Sequence, residues 1–484
     1  MRNGFLQPVL YVNGLILLVV AVLMWITAFV SGLYGDPDWT SFMVSSFIPL
    51  FLGGVLYLGN WSDHFTLRRS QGYLLTFMSW ITLGVMGSIP LFIGILKLSF
   101  TDATFESFSA LTTTGSTVIV GLDHLSHGVL LWRSLLQWIG GVGIIVTAMV
   151  MLPFLRVGGM QLFRSESSDI SDKFMPRMQR LAAGIMAVYV ALSVACAVCL
   201  VIAGMPTFDA ICHAMATIAT GGFSTKDASV GYYNSPAIEF VEIVFMTAGA
   251  LPLVFYLSVF GLISPALKNY EQVRAFLLTL GSCILMMTLW LCLHLHYAFF
   301  HALRLAAFNV TSVLTDTGFA SADFSTWGPF AIGLFFVIYF IGGCSGSTSG
   351  AVKIFRWQVL WRGMRRHLYR MLRPRSVMRL RYSNRVIDDD VSNGVGVFLF
   401  TYLLTFAALS LFLMAMNLDF ITSASSVAQA MANAGPGLGK IVGPAGSFEG
   451  LPNLAKWVLV LAMVLGRLEL FTVYLLLMPA TWRE

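Results

Sequence analysis

The sequence predicts an all-α membrane protein: four pseudo-symmetric helix–pore-loop–helix repeats around a central pore, preceded by two extra transmembrane helices. Three observations carry that expectation. The 484 residues are 57% apolar and only 11% charged, against roughly 25% charged in a soluble domain, so the chain cannot clothe a globular surface in water. Apolar runs at 9–32, 42–58, 181–203 and 398–416 approach the ~20 residues that cross a bilayer core, and such runs recur from end to end. Between them, a short polar run with a glycine interrupts the apolar pattern four times.

The first two apolar runs stand ahead of any such interruption and are assigned to 1–70. Arg2 precedes the first, but the apolar segment continues past Val30 without a small-residue cleavage pattern, so it reads as a retained helix. The later units are helix, short helix with polar loop, helix, over 71–175, 176–268, 269–385 and 386–484. Their polar elements are "FTDATFESFSALTTTGSTV", "TFDAICHAMATIATGGFST", "FFHALRLAAFNVTSVLTDTGFAS" and "LDFITSASSVAQAMANAGPGLG". The glycines Gly115, Gly222, Gly318 and Gly435 stand roughly a hundred residues apart, the self-similarity expected of a repeated unit. Asp102 and Asp209 occupy positions suited to capping the short helices. Asp419 stands further from its glycine, and the third unit begins near His301 with no aspartate.

Lys and Arg collect at 67–70, 156–180, 268–274 and, above all, 353–385, which holds eleven of them and precedes any Asp or Glu until Asp388. The loops at 33–40, 97–102, 121–128, 224–235, 320–328 and 436–454 are short, polar or mildly acidic. The positive-inside rule puts the basic set, and with it both termini, in the cytoplasm. The net charge of +6 reflects that bias and is read as contact with membrane lipid, or with an acidic protein face, rather than nucleic acid. All six cysteines lie in or beside apolar stretches. Cys196 and Cys199 share a helix face, with no second pair or nearby histidine to complete a metal site.

Non-helical backbone at membrane depth is tolerated only where protein buries it or water lines it. Four such loops in equivalent units suggest convergence on one axis. Short helices entering from outside and ending mid-membrane turn their carbonyls and negative dipole ends toward that axis. Rings of carbonyls replace the hydration shell of a cation, and glycine lets the backbone turn to present them. Thr113, Thr114, Thr220 and Thr317 offer hydroxyls to brace neighbouring backbone. The lack of charge in three of the four runs fits ligands that are carbonyls.

The stretches "FESFSALTTTGSTVIVGLD", "IAGMPTFDAICHAMATIATGGFST", "GGCSGSTSGAVKIFRW", "NAGPGLG" and "LGRLEL" occur in this order along most of the chain. In them the sequence resembles the Trk/Ktr/HKT superfamily of cation transporters, and most of all its bacterial TrkH-type potassium-uptake pore subunits, whose two extra N-terminal helices it shares. The resemblance implies a K+ filter at Thr112, Thr113, Thr114 and Gly115; Ala219, Thr220, Gly221 and Gly222; Thr315, Asp316, Thr317 and Gly318; and Ala432, Asn433, Ala434 and Gly435. Potassium is then the cargo, and no tightly bound organic cofactor is implied. Glycine in all four segments resembles the potassium-preferring members. Ser116 stands where alanine is common and is expected to matter little, whereas Asp316 adds a carboxylate near the mouth.

Gly342, Gly343, Cys344, Ser345, Gly346, Ser347, Thr348, Ser349 and Gly350, followed by Lys353, interrupt the helix after the third loop. Four glycines and four hydroxyl residues in that span cannot hold a straight helix. Enzyme readings fail on the residues. Gly346–Gly350 has threonine at its centre and no preceding strand, unlike a nucleophile elbow, and "GPGLGK" lacks the spacing of a phosphate loop. Ser345 and Ser347 have no histidine at matched depth.

In the resembled family this segment is an intramembrane gate loop, with Arg467, an intramembrane cation, beside it. The family further implies a homodimer in the bacterial inner membrane above cytosolic TrkA-like nucleotide-binding regulatory subunits, which the basic segment is placed to contact. Inward movement of one cation gains about 2.3 kcal/mol per 100 mV, enough to drive uptake through a pore. The alternative is a secondary transporter coupling K+ to Na+ or H+.

Overall fold

The computed structural model describes residues 3–61, 68–151, 174–261, 271–375, 379–382, 385–387 and 389–482. The basic stretch from Arg156 to Lys173, and Lys268, lie outside them. Helices α1 (Asn3–Leu33) and α2 (Trp39–Gly59) come first. They approach so closely through Gly14 and Gly53 that a methyl on Gly14 would stand 2.6 Å from the Tyr57 nitrogen, the small-residue contact that lets apolar helices pack in lipid. The next run comprises α3 (Arg69–Ile93), α4 (Phe100–Leu111), α5 (His127–Met151), α6 (Phe174–Ile202), α7 (Thr207–Ile218), α8 (Pro236–Ala250) and α9 (Leu253–Val259). It continues through α10 (Glu271–His294), α11 (Phe299–Leu314), α12 (Pro329–Ile338) and α13 (Ile354–Leu372). The last set is α14 (Asp389–Met414), α15 (Phe420–Ala432), α16 (Asn453–Arg467) and α17 (Phe471–Leu477). One departure from an all-α chain is a small antiparallel ribbon, in which Arg381 and Tyr382 pair with Val386 and Arg385.

Helices α4, α7, α11 and α15 are the short helices that precede the four polar loops, 12, 12, 16 and 13 residues. At 1.5 Å per residue a helix of 12 spans roughly 18 Å, little more than half a bilayer core. Every residue from Thr422 to Ala432 in α15 and from Ala103 to Leu111 in α4 is buried. These helices form the centre of the bundle, and the long apolar helices surround them. The caps differ from the sequence expectation. Asp419 is a true cap, its carboxylate accepting the Thr422 N–H at 3.0 Å. Asp102 instead lies in the first turn of α4, which Ser99 caps, and Asp209 likewise lies inside α7.

The second helices of the later three repeats, taken together, depart further from expectation. The sequence foretold one interruption; three occur. Pro236–Ala250 and Leu253–Val259 meet at a 95° bend, Asn453–Arg467 and Phe471–Leu477 at 107°, and α12 gives way to the loop before α13. Among the described residues, six helices are long and apolar enough to cross a membrane, or eight if each bent pair is one span. Pro252 explains the first bend, because proline lacks the N–H a continuing helix needs. The carbonyls of Gly249 and Ala250 freed there accept the N–H groups of Thr348 and Cys344, and Leu253 N–H donates to Gly346. Broken helix and glycine-rich loop thus satisfy each other, the condition for irregular backbone at this depth.

Candidate functional site

The four short helices end in the same backbone turn. The second residue of each segment, Thr113, Thr220, Asp316 or Asn433, has a positive φ of 55°, 51°, 60° or 59°. Its N–H reaches back to the carbonyl of Ala110, Thr217, Val313 or Ala430. The third residue, Thr114, Gly221, Thr317 or Ala434, donates to Ser109, Ala216, Ser312 or Gln429 at 2.8–3.0 Å. The fourth is the glycine, again at positive φ (83°, 74°, 92° and 93°). Left-handed backbone is costly for β-branched Thr113 and Thr220, and strain repeated at four matched positions is the kind found at ligand clamps.

The segments abut in cyclic order. A methyl on Gly115 would stand 2.3 Å from the Gly221 oxygen; on Gly222, 1.9 Å from the Thr317 oxygen; on Gly318, 2.8 Å from the Ala434 oxygen; and on Gly435, 2.6 Å from the Gly318 Cα. The ring closes between the fourth segment and the first, where the Ser116 hydroxyl donates to the Gly435 carbonyl at 2.9 Å. Asn433 Nδ2 donates to Thr114 Oγ1 at 2.9 Å across the same seam. Ser116, expected to matter little, is therefore a strut between two segments. Beyond the glycines a hollow of about 70 Å³ opens, lined by Gly115, Gly222, Gly318 and Pro436.

The threonines divide by position. Thr112 and Thr315 donate to Phe108 and Thr311 in their own helices and pair with Thr114 and Thr317 at 2.8 and 2.7 Å. Thr220 donates to the Ala219 carbonyl and reaches Thr348. The Thr113 hydroxyl, expected to brace backbone, is buried without a protein partner. The chief correction concerns Asp316. Its side chain does not face the mouth. It is fully buried and accepts the Ser349 hydroxyl of the glycine-rich loop, because the second position of the turn directs its side chain to the loop.

That loop lies against three segments. Thr348 Oγ1 donates to the Ile218 carbonyl at 2.9 Å, and the Ala351 N–H to the Ala432 carbonyl at 2.9 Å. Ser349 also accepts the Gly343 N–H, and Lys353 Nζ donates to the Ser349 carbonyl. Ser345 N–H donates to Gln272 and Ser347 Oγ to the Cys344 carbonyl. Gly350 comes so close to Ala432 that a methyl there would stand 2.1 Å from its carbonyl oxygen. Arg467, only 2% exposed, bridges this loop to α5: Nη1 donates to the Thr348 carbonyl at 2.9 Å and Nη2 to the Gly140 carbonyl at 3.1 Å. It does not pair with Glu469, which is taken by Arg356.

Several residues escaped the sequence reading. Arg133 and Glu106 form a buried pair at 2.7 Å. Glu106 also accepts the Val118 N–H, and Arg133 donates to the Ser224 carbonyl, holding the irregular backbone that leaves the first two segments. Gln137 donates to the Gly221 carbonyl at 2.6 Å and accepts the Phe223 N–H. The signal was available: a cation inside an apolar helix marks function by default, and "LLWRSLLQW" presents one as plainly as "LGRLEL" does.

Residues 40–482 match the TrkH family, described as cation transport protein. The chain is 44% identical over 478 residues to the Trk system potassium uptake protein TrkI of Halomonas elongata, covering 99% of this chain and 97% of that one. It is 38% identical over 478 residues to the Trk system potassium uptake protein TrkH of Escherichia coli K12, covering 97% and 98%. The crystal structure of the potassium transporter TrkH from Vibrio parahaemolyticus superposes with a TM-score of 0.91 at 37% identity, covering 99% of each chain.

Proposed function

Because this chain belongs to the TrkH family of cation transport proteins, we propose that it is the potassium-selective, ion-conducting subunit of a bacterial K+ uptake system, a membrane transport protein and not an enzyme. The observation that carries the reading is the ring of four matched turns around Gly115, Gly222, Gly318 and Gly435. Short helices ending there aim their negative dipole ends at the centre, and carbonyls of the turns replace the hydration shell of the ion. Lateral contacts such as Gln137 to Gly221 and Ser116 to Gly435 hold the ring at a set width.

The loop from Gly342 to Lys353 is the gate. It packs against three of the four segments, and Arg467 latches it to Gly140 of α5. The same cation repels K+ in the pore until it moves. Helix α13 begins directly after the loop, and its Arg356, Arg362 and Arg366 pair with Glu469, Glu271 and Asp389. It is therefore a lever through which cytosolic TrkA-like nucleotide-binding subunits pull the loop. The protein works as a homodimer in the inner membrane with both termini cytoplasmic, contacts anionic lipid through its basic segment, and has no use for nucleic acid. Inside-negative potential, at about 2.3 kcal/mol per 100 mV, drives entry.

Flux of K+, Rb+ and Na+ into proteoliposomes under an imposed potential tests this. K+ and Rb+ entering with little Na+ is the expected result, and equal Na+ entry overturns the filter. Flux that requires an Na+ or H+ gradient establishes the alternative, a coupled secondary transporter.

A further inference from the structure

The opposite face of the Arg467 latch borders a second, apolar cavity. It encloses about 330 Å³ between α1, α3 and α5, the size of a small-ligand cleft. Its inner wall includes Trp80, Leu111 and Gly140, and its mouth includes Leu15 and Val19. The wall residues Trp80 and Leu111 are 4% and 1% exposed, whereas Leu15 and Val19 are 47% and 51% exposed. The cavity therefore runs from the rim of the helix bundle to within one residue of Thr112.

The chemistry of the wall selects the occupant. Among the described lining residues, Thr76 and Ser79 carry the only side-chain hydroxyls, and the rest are aliphatic, aromatic or glycine. A water needs two to four polar partners, so water does not fill such a space. Leu15 and Val19 lie in the middle of the apolar span Phe5–Leu33, at the depth where the surroundings are hydrocarbon. We infer that an acyl chain of a membrane phospholipid enters between α1 and α3 and packs against Trp80 and Gly140.

Those two residues are also the partners of the latch. Arg467 lies 5.9 Å from the Trp80 ring centroid and donates to the Gly140 carbonyl. The chain thus backs the surface on which the guanidinium rests, and occupancy holds the latch shut. This second part rests on the gate reading above; the binding site does not.

Two measurements separate them. The full-length protein is reconstituted in phosphatidylcholine vesicles doped with a phospholipid bearing a photoactivatable diazirine in mid-chain. Adducts are expected on Trp80, Leu111 or Gly140 as well as on exposed Leu15 and Val19, and Ile16→Phe or Ser79→Phe, each placing a ring in the path to the inner wall, loses the inner-wall adducts. Adducts confined to exposed side chains, or protein–protein crosslinks at Leu15 in their place, overturn the site. Basal K+ flux is then compared in dioleoyl and methyl-branched diphytanoyl phosphatidylcholine, whose broader chains fit the cavity poorly. Wild-type flux rises in the branched lipid and Ile16→Phe removes that dependence. Adducts on the inner wall with identical flux in both lipids overturn the link to the latch while leaving the site and the filter standing.

Discussion

The layer of the four glycines and the layer immediately beneath it obey opposite rules. In the upper layer the sequences "TTTG", "ATGG", "TDTG" and "ANAG" share one backbone turn to within about ten degrees in φ at the second residue. In the lower layer the four second helices go different ways: α5 runs uninterrupted, α8 and α16 end in bends of 95° and 107°, and α12 dissolves into the loop. On the proposed reading an ion on an axis is met alike from every side, which calls for one geometry in the upper layer. A gate on that reading needs only one moving part, so the lower layer is free to diverge, and its broken helices lend carbonyls to the loop.

Gly222→Ala strikes the symmetric layer hardest. A methyl 1.9 Å from the Thr317 carbonyl forces backbone apart, so rescue of a K+-uptake-deficient bacterium at low K+ is expected to vanish. Gly204→Ala, at φ 99° but with nothing within 4 Å, is the control and retains rescue. Arg133→Met comes next. It strands the buried Glu106 carboxylate, and breaking such a pair costs about 3–5 kcal/mol. A large drop in thermal stability in detergent is expected, with partial recovery when Glu106→Gln is added; an unchanged melting curve contradicts the strut role. Arg467→Ala is the mildest for the fold and acts only on the asymmetric layer. Basal flux should rise without loss of K+ over Na+ preference, with Arg467→Lys intermediate because an ammonium cannot span two carbonyls as a guanidinium does. Loss of selectivity in Arg467→Ala would show that the two layers are not separable.

What could be read from residues alone follows a physical division. The four glycine turns were legible because the turn that ends each short helix is built within about six residues, from Ser109 to Gly115 or Ser312 to Gly318. The loop at Gly342–Gly350 was legible because so many glycines defeat a helix locally. Pro252 is a local stop signal within the chain, whereas the break after Arg467 has no proline at all; Glu469 and Leu470 take positive φ there. Side-chain direction was not legible. Asp316 turns to Ser349, 33 residues on, and Ser116 to Gly435, 319 residues on.

Composition and pattern along the chain are enough to show that it lives in a membrane, that it repeats one motif four times, and that a short polar glycine turn closes each motif. Composition and local backbone preference suffice for those, because each is decided by transfer free energy or by sterics over a few residues. Long-range packing settles that the four turns close into a ring, that three of the second helices break, and that Arg467 bolts the loop to Gly140. Those depend on which buried donor meets which buried acceptor, and burial strongly favours such matches without revealing from the chain which partner it will be.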